Sequence, residues 1–419
     1  MSVLLLGADY YGTLAAARSF GRAGIDVAMA DDSKRGRALF SRYVREKLVH
    51  PPLDEPEALV AWLERYGKEH PGTVLYPPND HLSWLFAAYR ERLGEVFAML
   101  SPPEETIITL LDKQRMHEAC AKVGIDVPRT WSAASDDEAR AVEPELTFPV
   151  LLKPRTQVFL ASGVKGFIAS SSGELYSELA RFRELVRFHD VLTSRHPDIG
   201  TPMLQEYLTA AETQIFSMSG WHDRDGTLVV RAAMKVLQRP RKVGIGLCFE
   251  GRPIDFVLAD KLRKLCVEVG YYGAFESEFI CDGDARLLID FNPRFYSQMG
   301  FDIARGLPLA RIAYHAARGE TARSKALLAE AAAWKPSGGE VYCHKTMLDL
   351  VLALQGMSGQ MSRADVKQWR RWHKEHARTA TDAVRDADDR LPAVVDAASW
   401  VQHFARHPRS FVRSFVLNR

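Results

Sequence analysis

Short apolar runs alternating with amphipathic stretches mark the first hundred residues. Val3-Leu4-Leu5-Leu6 is continuously apolar, as in a strand covered on both faces. Gly7-Ala8-Asp9-Tyr10-Tyr11-Gly12 follows as a turn, and Leu14, Ala15, Ala17, Arg18 and Phe20 carry a helical pattern that Gly24 closes. Ile25-Asp26-Val27-Ala28-Met29 reads as the next strand, so the chain opens with a βαβ unit and a parallel sheet. Residues 57–66 predict a helix, Thr73-Val74-Leu75-Tyr76 a strand and residues 81–93 another helix. An α/β domain of about 105 residues accounts for this pattern.

Ser101-Pro102-Pro103 breaks the chain, residues 110–123 predict a helix, and Gly124-Ile125-Asp126-Val127-Pro128 an extended link. Phe148-Pro149-Val150-Leu151-Leu152-Lys153-Pro154 then begins a strand-rich stretch. Its later runs lie at 203–208, 214–219, 227–236, 274–280 and 287–291. From about Ala322 the texture becomes helical, with Trp369, Trp372 and Trp400 as packing anchors. Asp386-Ala387-Asp388-Asp389-Arg390 reads as a solvated turn rather than a metal loop. In the last stretch Phe404, Phe411 and Phe415 are expected to pack onto the main body, with docking to a partner or membrane surface as the alternative.

Composition narrows the class. The chain has 419 residues, 47% hydrophobic and 26% charged, with 55 Lys and Arg against 53 Asp and Glu. A formal charge of +2 gives no electrostatic case for nucleic acid or an anionic membrane. Cys120, Cys248, Cys266, Cys281 and Cys343 are scattered and never in CxxC spacing, which argues for a reducing, cytoplasmic setting over a disulfide framework or zinc ribbon. No run approaches the ~20 apolar residues of a membrane helix. Gly7 and Gly12 bracket a strand-to-helix turn but lack GxGxxG spacing, so tight packing is expected there. A dinucleotide-dependent oxidoreductase rests on that opening alone.

The segment Gly273-Ala274-Phe275-Glu276-Ser277-Glu278-Phe279-Ile280 carries more chemistry. Glu276 and Glu278 share one strand face, opposite Phe275, Ser277 and Phe279. Residues 281–285 have turn character, after which Asp290 and Asn292 alternate with Leu287, Ile289 and Phe291. A three-residue loop pairing 281 with 285 places Glu276 opposite Asp290 and Glu278 diagonal to it. A loop of even count would put the acids on opposite faces. Acids crowded on one face repel unless a cation intervenes, and oxygen-only ligands suit Mg²⁺. The competing reading is a solvated face of an amphipathic hairpin. Asn292-Pro293-Arg294 ends the run: proline stops the ladder, and Arg294 offers a fork for carboxylate or phosphate.

These pieces, in this order, resemble the ATP-grasp superfamily, in particular its carboxylate–amine ligases, over roughly residues 1 to 320. The motifs are Asp112-Lys113, residues 124–128, residues 148–154, Leu204-Gln205-Glu206-Tyr207-Leu208 and Asp290-Phe291-Asn292-Pro293-Arg294. The resemblance implies an α/β and α+β fold. It divides into an N-terminal Rossmann-like (pre-ATP-grasp) parallel-sheet domain over 1–105, a small ATP-grasp lobe over 106–205, a large lobe over 206–322, and a helical C-terminal extension over 323–419. It implies ATP and Mg²⁺ as cofactors, with Mn²⁺ the alternative ion. It assigns Lys113 and Lys153 to the nucleotide phosphates, and Gln205, Glu206, Tyr207 and Leu208 to a hinge meeting the adenine. Glu212 falls to the ribose, Glu278, Asp290 and Asn292 to the metal, and Arg294 and Lys235 to the reacting phosphoryl or carboxylate. Lys165, in Gly163-Val164-Lys165-Gly166, falls where a hairpin covers the phosphates.

Two departures stand out. Residues 155–163 are poor in glycine where relatives have a glycine-dense loop, and Asp290 stands where Glu is usual. The implied reaction joins a small-molecule carboxylate to an amine, with an amino acid on one side, and releases ADP and phosphate. A homodimer is the common expectation. A non-catalytic, nucleotide-binding regulatory module is the alternative. Neither a biotin-attachment segment nor a cysteine beside the site is apparent.

Overall fold

The apolar runs of the first hundred residues form a parallel sheet in the computed structural model, which describes residues 2–161, 164–240, 244–335 and 339–416. β1 (Ser2–Leu6), β2 (Asp26–Asp31), β3 (Val44–Val49), β4 (Val74–Leu75) and β5 (Ala98–Met99) lie in the order β3-β2-β1-β4-β5. Helices cover both faces, so Leu4 and Leu6 enter one apolar cluster and Val3 and Leu5 another. The strand order changes direction between β1 and β4, and the carboxyl ends of these two strands open a crevice. β3 is an edge strand, and its Arg45, Glu46 and Lys47 mask the apolar alternation in the sequence.

A second, antiparallel sheet contains β6 (Thr130–Ser132), β7 (Val150–Lys153), β8 (Phe167–Ala169) and β9 (Met203–Glu206), ordered β6-β9-β7-β8. The third sheet has seven strands in the order β14-β13-β10-β11-β12-β15-β16. They are β10 (Ile215–His222), β11 (Leu228–Gln238), β12 (Gly246–Arg252), β13 (Gly273–Asp282), β14 (Ala285–Asn292), β15 (Val341–Cys343) and β16 (Thr381–Asp382). The last two correct the expectation of a purely helical segment after residue 322. They extend the large sheet and are too short to leave a period in the sequence.

The predicted helix over 110–123 is instead two helices, Glu104–Leu111 and Lys113–Val123. Asp112 between them is extended (φ −89°, ψ 109°), and its carboxylate accepts from Gln114 N at 3.0 Å as the N-cap.

The C-terminal segment docks by apolar packing on the large sheet and by buried charge on the first helix and residues 41–42. Phe411 and Phe415 are buried, with Trp369, Trp372 and Trp400 packed against the same cluster. Asp389 is buried rather than solvated, which corrects the reading of the 386–390 turn. Its carboxylate accepts from Arg18 Nε (2.9 Å), Ser41 Oγ (2.7 Å) and Arg42 N (2.8 Å). Removing one partner of such a pair leaves the other buried and bare, at a cost of about 3–5 kcal/mol. Asp389→Ala therefore lowers the unfolding free energy by that order, read as a lower denaturant midpoint. Arg22→Ala, whose side chain is 45% exposed opposite Asp386, changes it little.

Candidate functional site

β13 and β14 join through Gly283-Asp284, a two-residue loop with Gly283 at φ +56°, rather than the expected three-residue loop. Asp282 pairs with Ala285, so the even count alone would turn the two acid sets to opposite faces. A bulge restores the phase. Glu278 pairs with Asp290 but Phe279 with Leu288, which leaves Ile289 as the extra residue. Glu276 thus stands opposite Asn292 and Glu278 opposite Asp290, all on one face. The other face is apolar, with Phe275 stacked on Phe291 at 5.1 Å between ring centres.

Each outer acid has a lysine. Lys113, from the start of its helix, donates to Asp290 Oδ1 at 2.6 Å. Lys235, on β11 opposite Ile215, reaches diagonally across β10 and donates to Glu278 Oε1, which stands opposite Ser217. Burial alone would lower the Lys113 ammonium, but Asp290 outweighs it and holds its pKa above the ordinary lysine value. Burial raises the Asp290 carboxyl, and Lys113 pulls it below the usual range. Glu276 has neutral partners. It accepts from Ser217 Oγ (3.0 Å), Asn292 Nδ2 (2.9 Å) and Gln298 Nε2. Burial, and then the neighbouring Glu278, push its pKa to about 7 against the pull of Lys235.

Lys153 ends β7 and is 9% exposed. Among the described residues its ammonium meets only the side-chain oxygen of Gln205, at 2.8 Å. Burial, with Lys113 nearby, lowers its pKa to about 7, partly offset by Asp290. Gln205 spends its side chain on Lys153 and on Thr130 Oγ1 (3.3 Å). Glu206 accepts from Arg129 N at 2.7 Å. Tyr207 and Leu208 are half-buried where the chain leaves β9, and Glu212 is half-buried at the end of the short turn Thr209–Glu212. Lys165 is exposed and bonded to none of these residues, and Gly163 of its motif lies outside the described residues.

Arg294 is held on three sides. Nε donates to Asp80 Oδ1 (2.5 Å), Nη2 to Asn292 Oδ1 (2.8 Å) and Nη1 to Phe295 O (2.9 Å). Asp80, unnoticed in the sequence, opens the helix Asp80–Ala88 behind the N-cap Asn79. The Asn79-Asp80 pair after Pro77-Pro78 is a helix-start signal that could have drawn attention to it. Arg155 was also missed. It donates from Nε to Asp112 Oδ1 at 2.9 Å and from Nη1 to Asp198 Oδ2 at 2.9 Å, clamping the cap that aims Lys113.

The arrangement therefore gathers Lys113, Lys153, Lys235, Glu276, Glu278, Asp290, Asn292 and Arg294. Among the described residues no three His, Cys, Asp or Glu side chains converge as ready metal ligands. The donor set nevertheless fits a hard divalent ion. Glu278 and Asp290 are opposed all-oxygen donors with Asn292 beside them, a donor chemistry suited to such an ion.

No family model matches the chain. It is 26% identical over 248 residues to the carbamoyl phosphate synthase large chain of Methanothrix thermoacetophila, a stretch covering 57% of this chain and 21% of that one. The chain thus spans about a fifth of the length of that relative. A crystal structure of the biotin carboxylase–β-γ-ATP complex from Campylobacter jejuni is similar with a TM-score of 0.59 at 16% identity, over 76% of this chain and 71% of that one. An L-amino acid ligase from Bacillus licheniformis is similar with a TM-score of 0.55 at 12% identity, over 76% of this chain and 74% of that one. In sequence the chain is thus similar to part of a carbamoyl phosphate synthase large chain, and in fold to a biotin carboxylase and an L-amino acid ligase.

Proposed function

We propose that this chain is an ATP-dependent ligase that activates a carboxylate as an acyl phosphate and joins it to an amine, with an amino acid on one side. The observation that carries this reading is the set of three lysines converging on the acids of β13 and β14. On this reading residues 1–105 are the Rossmann-like domain that precedes the nucleotide fold. Residues 106–205 and 206–322 are its two lobes, and 323–419 is an extension that adds β15 and β16 to the large lobe. The five cysteines are free, with Cys248 and Cys343 Sγ only 3.6 Å apart, which fits a reducing cytoplasm.

Each ion pair joins a cation suited to phosphate to an anion suited to a divalent ion. A bound magnesium nucleotide would exchange both partners together: Lys113 and Lys235 would face phosphate oxygens, and Asp290 and Glu278 would hold the ion. No charge is then left bare in a buried place. Magnesium held by Glu278 and Asp290, with Asn292 beside them, supplies positive charge to the phosphates.

Lys153, lacking a carboxylate partner, is the cation most ready to take a phosphate. The substrate carboxylate oxygen attacks the γ-phosphorus while its bond to ADP breaks. The amine nitrogen then attacks the acyl carbon, expels phosphate and passes its proton to that leaving group. Arg294, tied to Asp80 and Asn292, acts on this reading by holding Asn292 in place. Residues 204–208 form the hinge about which the small lobe closes and excludes water.

ADP release with magnesium ATP, measured over a panel of carboxylates and amines, tests the reading. Release that depends on both substrates is expected. Substrate-independent hydrolysis, or nucleotide binding without turnover, sinks it, and the latter favours a regulatory module. Asp290→Asn and Lys153→Ala are each expected to lower kcat/KM for ATP by about a hundred-fold or more.

The Lys153 value near 7 gives a pH signature. Phosphate binding needs the charged form, which is present below pH 7 and lost above it. Nucleotide affinity therefore falls as pH rises from 7 to 9, by up to about ten-fold per unit. Lys153→Arg, charged throughout, flattens the profile, and an equally steep profile in that variant contradicts the assignment.

A further inference from the structure

The helix Tyr11–Arg22 forms one wall of a cavity of about 700 Å³ that the proposed chemistry does not use. The helices Met299–Ala304 and Leu309–Ala317 make its floor, and β16 with the turn after it makes the far wall. Such a volume suits a small organic molecule.

Its charges are matched with one exception. Asp382 accepts from the amides of Lys345 (3.2 Å), Val384 (2.8 Å) and Arg385 (2.6 Å). Asp386 faces Arg22 at 2.5 Å. Arg18 is held through Nε by Asp389 and through Nη2 by the carbonyls of Val384 and Asp389. Arg311, half-buried on the floor, meets no carboxylate, carbonyl or ring among the described residues. A guanidinium stays charged at every physiological pH and binds planar anions through two donors at once. Ile303, Pro308 and Tyr342 line the same space with apolar surface.

We propose that this cavity binds a small organic anion, a carboxylate or phosphate ester on an apolar body, anchored by Arg311. The wall also includes Ser297 and Gly300, from the segment whose Gln298 holds Glu276, and Tyr342 donates its hydroxyl to Ser297 O at 3.2 Å. An occupant therefore leans on residues that support the acidic cluster.

The test titrates the full chain, without nucleotide, with 3-phenylpropionate and phenyl phosphate. The uncharged 3-phenylpropanol serves as control, with calorimetry and amide hydrogen exchange as readouts. Both anions are expected to bind and the alcohol not, with protection on residues 11–23, 299–311 and 381–386. Arg311→Gln weakens anion binding about ten-fold or more, and Arg311→Lys weakens it less. Ser19→Trp, which fills the cavity from the opposite wall, blocks binding while leaving Arg311 in place.

Absence of anion binding to the unaltered chain, unchanged binding by Arg311→Gln, or protection confined elsewhere overturns the proposal. Because no nucleotide is present, these outcomes are independent of the ligase reading. In the ADP-release assay, an anion consumed in step with ADP is a substrate and one that only alters the rate is an effector. Either response must shrink in Arg311→Gln, and an unchanged response counts against the site.

Discussion

Lysines and carboxylates persist in a protein interior only where each charge finds a partner, because stripping water from an unpaired ion costs more than any packing there returns. Around β13 and β14 that constraint is met by three ion pairs: Lys113 with Asp290, Lys235 with Glu278, and Arg294 with Asp80. Glu276, the acid left over, is satisfied by neutral donors and carries a raised pKa. Lys153, the lysine left over, is satisfied by a neutral acceptor and carries a lowered one. Both residues outside the pairing scheme are shifted first of all by burial.

These partners come from separate parts of the chain, so the cluster exists only in the complete fold. The first hundred residues contribute directly. Phe295 N donates to Pro77 O at 3.2 Å, Ser83 Oγ to Pro293 O at 2.9 Å, and Ala274 N to the Tyr76 hydroxyl at 2.8 Å. A side chain at Gly12 would put its Cβ 2.4 Å from Tyr296 O, so glycine there lets the first helix rest on the backbone beyond Arg294. The carboxyl ends of β1 and β4 thereby buttress residues 292–299, which in turn hold Glu276 through Gln298.

Long apolar runs made much of the fold legible in the sequence. Val3–Leu6 and residues 274–280 reach the structure as read, because continuous burial and strict alternation are local properties of the chain. Short or charged strands did not show, since β3, β15 and β16 depend on neighbours for their pairing. The acids were legible as sharing a face, but for an incomplete reason. Loop count and bulge are separate shifts of register that cancel, and only the pairing Glu278–Asp290 followed by Phe279–Leu288 reveals both. The lysines were legible as types at expected places. Their partners were not, because Lys113 and Asp290 lie 177 positions apart. The Asp80 partner of Arg294 was not legible either, because nothing local announces it.

The described part of the glycine-poor segment after Lys153 is firmly anchored. Glycine would let backbone amides approach the phosphates, whereas residues 155–159 are instead anchored. Arg155 is paired to Asp112, and Phe159 packs edge-on against Trp84 at 5.7 Å and takes a ring nitrogen of His81 at its amide, 2.8 Å away. Lys113 N donates to Arg155 O at 2.9 Å, which ties the helix start to the end of β7. Lys113 and Lys153 are therefore set by one continuous piece of structure. The entropy of bringing two cations to one anion is met during folding rather than on binding. On the proposed ligase reading, that rigid pair of charges is what meets the phosphates.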